Sequence, residues 1–168
     1  FGDTHLHTDI SMDAGAFGAR LGPREAYRFA RGEQINSNSG QPVKLSRPLD
    51  FLIVADHAEV LGAMPKLFAG DPTFAATPTG EALLQVAGSR SAKELQRVYD
   101  LLASVGSGMA PPGAPSPQQA YVDLHGGEKR RSTWNDLIDA AERYDQPGVF
   151  TALVGWEWSS QPGGGNLH

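Results

Sequence analysis

Two short apolar runs, residues 49–55 and 149–154, constrain the fold of this chain more than any other feature of its sequence. Each run is almost unbroken and only six or seven residues long, which is typical of a strand buried on both faces, as in a parallel sheet. Both runs end abruptly in polar residues, at the carboxyl ends where parallel α/β folds build their sites. We therefore expect chemistry at these two strand ends.

Helical patterns surround the two runs. Pro23 begins an amphipathic pattern that ends near Arg31, because proline is well suited to the first helical position. A capping box at Ser91 to Glu94 opens a second helix, which continues through residue 105, and Ser132 or Thr133 caps a third that ends near residue 144. Strands alternating with helices predict an α/β fold with parallel strands.

The remaining segments are predicted to be irregular. Residues 1–8 alternate loosely, as a strand end running into a loop does, and residues 9–20 follow no period. Residues 33–48 are predicted as a polar loop, and residues 106–117 as a connector rich in glycine and proline.

Composition excludes several classes of function. The 168 residues suit one domain, and a hydrophobic fraction of 40% can form a core. A net charge of −5 argues against a nucleic-acid or anionic-membrane binder. The absence of cysteine excludes disulfides, thiolate catalysis and cysteine-based zinc sites. No apolar run approaches the ~18 residues needed to span a membrane.

The chain begins at Phe1 and shows no signal-peptide pattern, so we expect a processed, cut or partial chain. Its compartment stays open between periplasmic or secreted and cytoplasmic.

The pair His5-x-His7 is the first candidate for a metal site. Residues i and i+2 of a strand point to the same face, so the two imidazoles could hold one ion. The alternative is a pair of ordinary surface histidines. The nearby carboxylates of Asp3, Asp9 and Asp13 favour the metal interpretation.

Two further candidates follow the first apolar run directly. Asp56 and His57 would be costly at the end of a buried strand unless used, although a capping aspartate beside a packed histidine is the plain alternative. Glu59 is either a further acidic member or a residue of a helix start, and we favour the helix start.

The second apolar run leads to Glu157, which lies between two tryptophans. This carboxylate is either a bridge between metal ions or an exposed strand end. Trp156 is expected to pack in the core and Trp158 to line the cleft. His168 ends a glycine-rich loop, either as a ligand or as a residue without a role, and His125 is read as a turn histidine.

Basic residues that could hold an anionic group are Arg20, Arg47 and Lys44. A solvated surface charge is the alternative for each.

Nitrogen and oxygen ligands without thiolates suit zinc, manganese or iron, and such clusters at strand ends normally serve hydrolysis. The candidate set is His5, His7, Asp13, Asp56, His57, Glu157 and His168.

The order of these motifs resembles the polymerase-and-histidinol-phosphatase (PHP) superfamily. More closely, both ends of the chain are similar to a large bacterial PHP-like family described only as a domain of unknown function. The motifs that carry the resemblance are His5-x-His7-Thr8, Asp13 in Ser11-Met12-Asp13-Ala14, Ala55-Asp56-His57-Ala58-Glu59, Gly155-Trp156-Glu157, and Gly164-Gly165-Asn166-Leu167-His168.

The resemblance implies the amino-terminal part of a distorted (β/α)7 TIM-like barrel, with residues 64–148 mostly a helical insertion. The remainder of the same protein would complete the barrel, because three strands cannot close one. It also implies two or three divalent metal ions, zinc, manganese or iron. His5 and His7 would hold the first ion, and Glu157 would bridge it to a second.

For the remaining positions, the resemblance implies that Asp13 and His57 help to hold a third ion, and that His168 joins the second ion or a neighbouring site. It makes Asp56 a residue that orients His57, while Asp56 also stays a candidate ligand.

We expect a metal-dependent hydrolase that acts on a small-molecule phosphoester or a similar anionic ester. Asp13, Asp56 and Glu157 are the carboxylates considered for proton transfer, and Arg20, Arg47 and Trp158 for substrate binding. Two other classes stay open: a non-catalytic module stabilised by its metals, and a small-ligand or carbohydrate-binding module that uses Trp156 and Trp158.

Overall fold

The computed structural model describes residues 1–86, 91–107, 112–113 and 115–159. In chain order, the elements are β1 (Gly2–Leu6), α1 (Met12–Ala16), α2 (Pro23–Ala30), β2 (Ile35–Asn36), β3 (Pro42–Val43), β4 (Phe51–Val54), α3 (Ala63–Phe68), α4 (Pro72–Ala75), α5 (Pro78–Val86), α6 (Ala92–Ser107), α7 (Pro117–Leu124), α8 (Glu128–Tyr144) and β5 (Thr151–Val154).

The main sheet is parallel and has the order β1-β4-β5, so both predicted apolar strands are present and lie side by side. In β4, Leu52 and Val54 are buried, as expected of the central strand. The pairing of β4 with β5 runs in step from Phe51↔Thr151 to Val54↔Val154, whereas β1 shifts register between Asp3 and Leu6. The predicted α/β class with a parallel sheet is confirmed, and the described residues form no closed barrel.

One face of this sheet is covered by α2 and α8. Tyr27 of α2 is fully buried and its hydroxyl donates to the carbonyl oxygen of Leu153 at 3.0 Å. We call the buried residues of this layer the sheet cluster: Ile10, Tyr27, Ala30, Leu52, Val54, Leu61, Leu137, Ala140, Ala141, Phe150 and Ala152.

A second hydrophobic core lies among the helices between β4 and α8. We call its buried residues the helical cluster: Val60, Ala63, Met64, Leu67, Phe74, Leu83, Val98, Leu101 and Leu124. In the part of the segment 64–148 that the structure describes, the regular elements are helices, and the last of them, α8, packs on the sheet and contributes Leu137 to the sheet cluster.

Several local predictions need correction. Residues 9–20 contain α1, and the predicted polar loop contains the antiparallel pair β2–β3. That hairpin closes because Ser37 donates its backbone N–H to the carbonyl of Gln41 at 2.8 Å, with Gly40 in the left-handed region at φ 80°.

The predicted cap of the third helix is also wrong. The helix begins at Glu128, so Ser132 and Thr133 lie inside it. The Thr133 hydroxyl instead donates to the carbonyl of Lys129 at 2.9 Å, the bond to residue i−4 that a threonine makes within a helix. The helices predicted at 23–31 and 91–105 are present as α2 and α6. The connector predicted at 106–117 lies partly outside the described residues.

None of the helices in the described part of the chain is both long and apolar enough to cross a membrane.

Candidate metal centre

The carboxyl ends of the three parallel strands bring the predicted ligands together. His7 follows β1, His57 follows β4 and Glu157 follows β5. His57 and Glu157 extend the ladder between β4 and β5 as an isolated parallel bridge. The Ala58 amide donates to the Glu157 carbonyl at 2.8 Å, so backbone pairing fixes the position of both segments.

The first group of potential ligands is His5, His7 and Glu157. The Nε2 atoms of His5 and His7 lie 2.8 and 2.7 Å from the same oxygen, Oε2 of Glu157, and 3.1 Å from each other. Ligand atoms around a tetrahedral ion with bonds of about 2.0–2.1 Å are ~3.3 Å apart, so a small outward shift would admit an ion. The Glu157 side chain is only 5% exposed.

The second group is His7, Asp13 and His57. Asp13 lies in the first turn of α1, and both its oxygens are 3.0 Å from Nδ1 of His7, while Oδ2 is 3.6 Å from Nε2 of His57. The two groups share His7, and Oε2 of Glu157 lies 3.9 Å from Nε2 of His57. The donor atoms therefore form one contiguous cluster.

Hydrogen bonds lower the pKa of Asp13. Burial alone would raise the pKa of Asp13, but bonds from His57, His7 and Ser11 hold it well below its usual range. The Ser11 hydroxyl donates to Oδ1 of Asp13 at 2.6 Å and accepts the backbone N–H of His57 at 3.1 Å. Ser11 thus ties α1 to the end of β4, a role that no sequence pattern indicated.

Glu59 belongs to this cluster, and its predicted place in a helix start is wrong. It lies in a turn before α3, with Oε2 buried, 3.6 Å from Nδ1 of His57 and without a hydrogen-bond partner among the described residues. Its other oxygen accepts the backbone N–H of Ser159 at 3.0 Å. Burial lowers the pKa of His57, but Asp13 and Glu59 outweigh it and raise that pKa to about 9.

Asp56 lies beneath the cluster and is 1% exposed. Its oxygens accept the backbone N–H of Thr8 and, at 2.9 Å, the Thr8 hydroxyl. Burial raises its pKa to about 6. These bonds position Thr8, which follows His7. Asp56 was expected to orient His57, but the ring of His57 contacts Asp13, Glu59 and Ser159 instead.

The substrate-binding candidates lie in different places. Arg20 donates to the carbonyls of Gly15 and Ala19 at 2.7 and 2.6 Å, and its guanidinium lies over the Phe68 ring. Arg47 is exposed before the amino end of β4, at the opposite end of that strand from the cluster.

The aromatic and loop candidates also differ from the expectations. Trp158 is 67% exposed, and Trp156, expected in the core, is 60% exposed and packs edge-to-face with Trp134. His168 lies outside the described residues.

A model of the family described as "Protein of unknown function (DUF3604)" matches residues 1–168. No curated protein and no solved structure matches the chain. The matched family is described by no activity, so a functional conclusion has to come from the strand-end cluster.

Proposed function

The chain belongs to the DUF3604 family, whose function is unknown, and from its strand-end cluster we propose that it is a metal-dependent hydrolase of phosphoesters or similar anionic esters. One observation carries the proposal: two imidazole nitrogens, His5 Nε2 and His7 Nε2, converge within 2.8 Å on one oxygen of the buried Glu157. Such convergence is hard to maintain without a cation among the three atoms.

The donor set fits a divalent ion. His5, His7 and Glu157 would hold a first ion, and Asp13 and His57, with His7 or Glu157 beside them, would hold a second. Imidazole and carboxylate ligands suit zinc, manganese and iron. When bound, such ions lower the pKa of a water molecule and polarise the ester.

The proposal gives different residues of the cluster different roles. Glu157 lies between the two groups, Ser11 orients Asp13, and hydrogen bonds hold the pKa of Asp13 below its usual range. Asp56, expected as a catalytic candidate, is committed to Thr8 and lacks solvent access, so we assign it a positioning role.

The finer assignment to the PHP superfamily is part of the proposal. Three adjacent parallel strands with ligands at their carboxyl ends are compatible with a sector of a distorted barrel. β1 and β5 form the two edges of this sheet, where further strands from the same protein could pair. His168 stays a proposed ligand from the resemblance alone, because it lies outside the described residues.

Elemental analysis of the purified full chain tests the proposal. We expect bound zinc, manganese or iron, reduced strongly in the His5→Ala/His7→Ala double variant and in Glu157→Gln. His125→Ala is the matched control, because His125 follows α7 and belongs to neither group of potential ligands, and it should keep the metal content of the wild type.

Activity is the second step. Hydrolysis of aryl and alkyl phosphoesters should disappear on chelation and return when manganese or zinc is added. Metal binding without turnover of any ester would indicate the non-catalytic, metal-stabilised module. Absence of metal, even after reloading, would reject the proposal and favour a binding module that uses the exposed Trp156 and Trp158.

A further inference from the structure

The side chain of Glu59 extends the pairing of the two ligand-bearing segments beyond β4 and β5. An isolated backbone bridge joins His57 to Glu157. Two residues further on in both segments, Oε1 of Glu59 accepts the backbone N–H of Ser159 at 3.0 Å. A carboxylate oxygen here takes the place that a backbone carbonyl has in the ladder. Glu59 therefore holds the segment that carries Glu157 beside the segment that carries His57.

The two ring nitrogens of His57 have different neighbours. Nε2 lies 3.6 Å from Oδ2 of Asp13 and 3.9 Å from Oε2 of Glu157, both of which are potential ligands. Nδ1 lies 3.6 Å from Oε2 of Glu59 and 3.2 Å from the hydroxyl oxygen of Ser159, and neither of these residues belongs to a group of potential ligands. Nε2 is therefore the nitrogen that is placed to bind an ion of the second group.

The second oxygen of Glu59 needs a donor. Oε2 is buried and has no hydrogen-bond partner among the residues that the structure describes. A buried carboxylate oxygen without a donor costs free energy, and an N–H on Nδ1 of His57 would supply that donor after a small rotation of either side chain. Histidines that bind metals commonly donate their other ring N–H to a carboxylate, which fixes the tautomer and leaves one nitrogen for the ion.

We propose that Glu59 is a positioning residue for the second ion, because it accepts the Nδ1–H of His57 and so leaves Nε2 to bind. This inference rests on the proposed function and adds to its metal centre a residue outside both groups of potential ligands. Ser159 acts with Glu59, since its hydroxyl oxygen lies 3.2 Å from Nδ1 of His57 and 3.5 Å from Oε1 of Glu157. Glu59 thereby couples the pairing of two strand ends to the orientation of one ligand.

Calorimetry of the full chain with manganese tests this role in the variant Glu59→Gln. An amide has an acceptor at one end and a donor at the other, so it can satisfy the Ser159 N–H or the Nδ1–H but not both. We expect the second ion to bind about 10–100-fold more weakly than in the wild type. The affinity for the first ion, at His5, His7 and Glu157, should change less than about twofold, because Glu59 contacts none of its ligands through a ring nitrogen.

Three further variants locate the effect. Asp13→Asn identifies the step of the second ion in the titration, because Asp13 belongs to the second group alone. Ser159→Ala keeps the backbone N–H that Glu59 accepts and removes only the hydroxyl, so it should weaken the same ion several-fold. Glu81→Gln, at an exposed position of α5, is the matched control and should change neither affinity.

Proton NMR of the zinc-loaded full chain separates positioning from a purely structural role. In the wild type, His57 should show a slowly exchanging ring N–H at Nδ1, assigned by its absence from His57→Asn. At saturating zinc, Glu59→Gln should lose this signal by exchange with solvent, because the acceptor of the N–H is gone. If Glu59 only held Ser159 in place, the signal of His57 would remain.

The outcomes distinguish this role from the proposed function. An unchanged second ion in Glu59→Gln, or equal weakening of both ions, would overturn the positioning role and leave the hydrolase proposal standing, as would a wild type that binds a single manganese ion. Selective weakening in a chain that hydrolyses no phosphoester would support the positioning role and count against the proposed reaction. A wild type that binds no manganese would overturn both.

Discussion

The sheet cluster and the helical cluster each border a buried aspartate that accepts two hydrogen bonds from a single threonine. At the strand ends, Asp56 accepts the N–H and hydroxyl of Thr8. Among the helices, Asp123 of α7 accepts the N–H and hydroxyl of Thr79 in α5, at 3.0 and 2.7 Å. The chemistry is the same, but only Asp56 stands beside residues that could bind an ion. The difference is one of position: Asp56 follows a parallel strand whose end carries the candidate ligands, whereas Asp123 only joins two helices.

The two regions also differ in how the chain builds them. The sheet cluster joins segments from residue 10 to residue 152, whereas the helical cluster uses residues 60–124. Changes in the helical cluster should therefore affect stability without affecting the metal centre. Four experiments test this difference between the two regions.

The largest effect is expected from a matched pair of core truncations, Leu52→Ala in β4 and Leu83→Ala in α5. Both side chains are at most 2% exposed, so each variant should lose about 3 kcal/mol of unfolding free energy, measured in urea. Only Leu52→Ala should also weaken manganese binding, because β4 leads to His57. Equal weakening by Leu83→Ala would show that the regions are coupled.

The paired aspartates give the next largest effect. Asp56→Ala and Asp123→Ala should each cost about 2 kcal/mol, because each leaves the donors of a buried threonine without an acceptor. Manganese affinity, measured by calorimetry, should fall in Asp56→Ala alone, since Thr8 follows His7. Unchanged affinity in that variant would argue against a positioning role for Asp56.

The third prediction concerns Lys66, which joins the helical cluster to the helix that packs on the sheet. Its ammonium donates to the Lys129 carbonyl and the Thr133 hydroxyl, both at 2.7 Å, and so ties α3 to α8. Lys66→Met should cost about 1 kcal/mol. The exposed Lys93→Met is the control.

Two optical probes can follow this junction separately. All three tryptophans of the chain, Trp134, Trp156 and Trp158, lie on the sheet side, whereas far-UV circular dichroism reports mainly the helices. In Lys66→Met we expect the dichroism transition to precede the fluorescence transition in urea. If both transitions of Lys66→Met coincide at the urea midpoint of the wild type, Lys66 does not stabilise the contact between the two regions.

The smallest effect should depend on pH. Asp71 accepts the Thr73 N–H at 2.9 Å and pairs with Lys129, and the hydrogen bond from Lys129 lowers its pKa to about 2 from 3.8. A lowered carboxyl pKa stabilises the fold above pH 3.8, and this stabilisation is lost as the pH falls through about 2.

The variant Asp71→Asn should therefore have a lower urea midpoint than the wild type at pH 7. The difference should shrink between pH 3.8 and 2. Asp139→Asn, at an exposed position of α8, is the matched control and should leave the urea midpoint at pH 7 unchanged. A constant difference across this range would mean that the charge of Asp71 contributes nothing.

The contrast between the regions also explains what the sequence could predict. The strands and the candidate ligands were predictable because apolar runs ending in Asp56-His57 and Trp156-Glu157 carry their signal locally. The short helices α3, α4 and α5 were not, because six, four and nine residues with scattered glycine and proline show no clear period. Their helical state depends on the helical cluster itself.

Within the site, sequence reasoning missed Ser11 and favoured the wrong alternative for Glu59, because the roles of both depend on tertiary contacts. Ser11 and Glu59 are ordinary surface types, and only the approach of α1 and of residue 159 to the end of β4 gives them partners. Trp156 was misjudged because tryptophan is highly buried on average, whereas here it packs edge-to-face on Trp134 and stays 60% exposed.

The in-step pairing of β4 with β5 carries a consequence for insertions and deletions. The offset of 100 residues between partners holds from Phe51↔Thr151 through His57↔Glu157. Because side chains alternate along a strand, one residue gained or lost between 151 and 157 would turn Glu157 to the opposite face. Residues gained in a loop between the helices change this offset but leave the register of the two strands as it is. The register therefore limits insertions and deletions in the few residues that lead to the candidate ligands, whereas in the helical segment the packing of the helical cluster limits them.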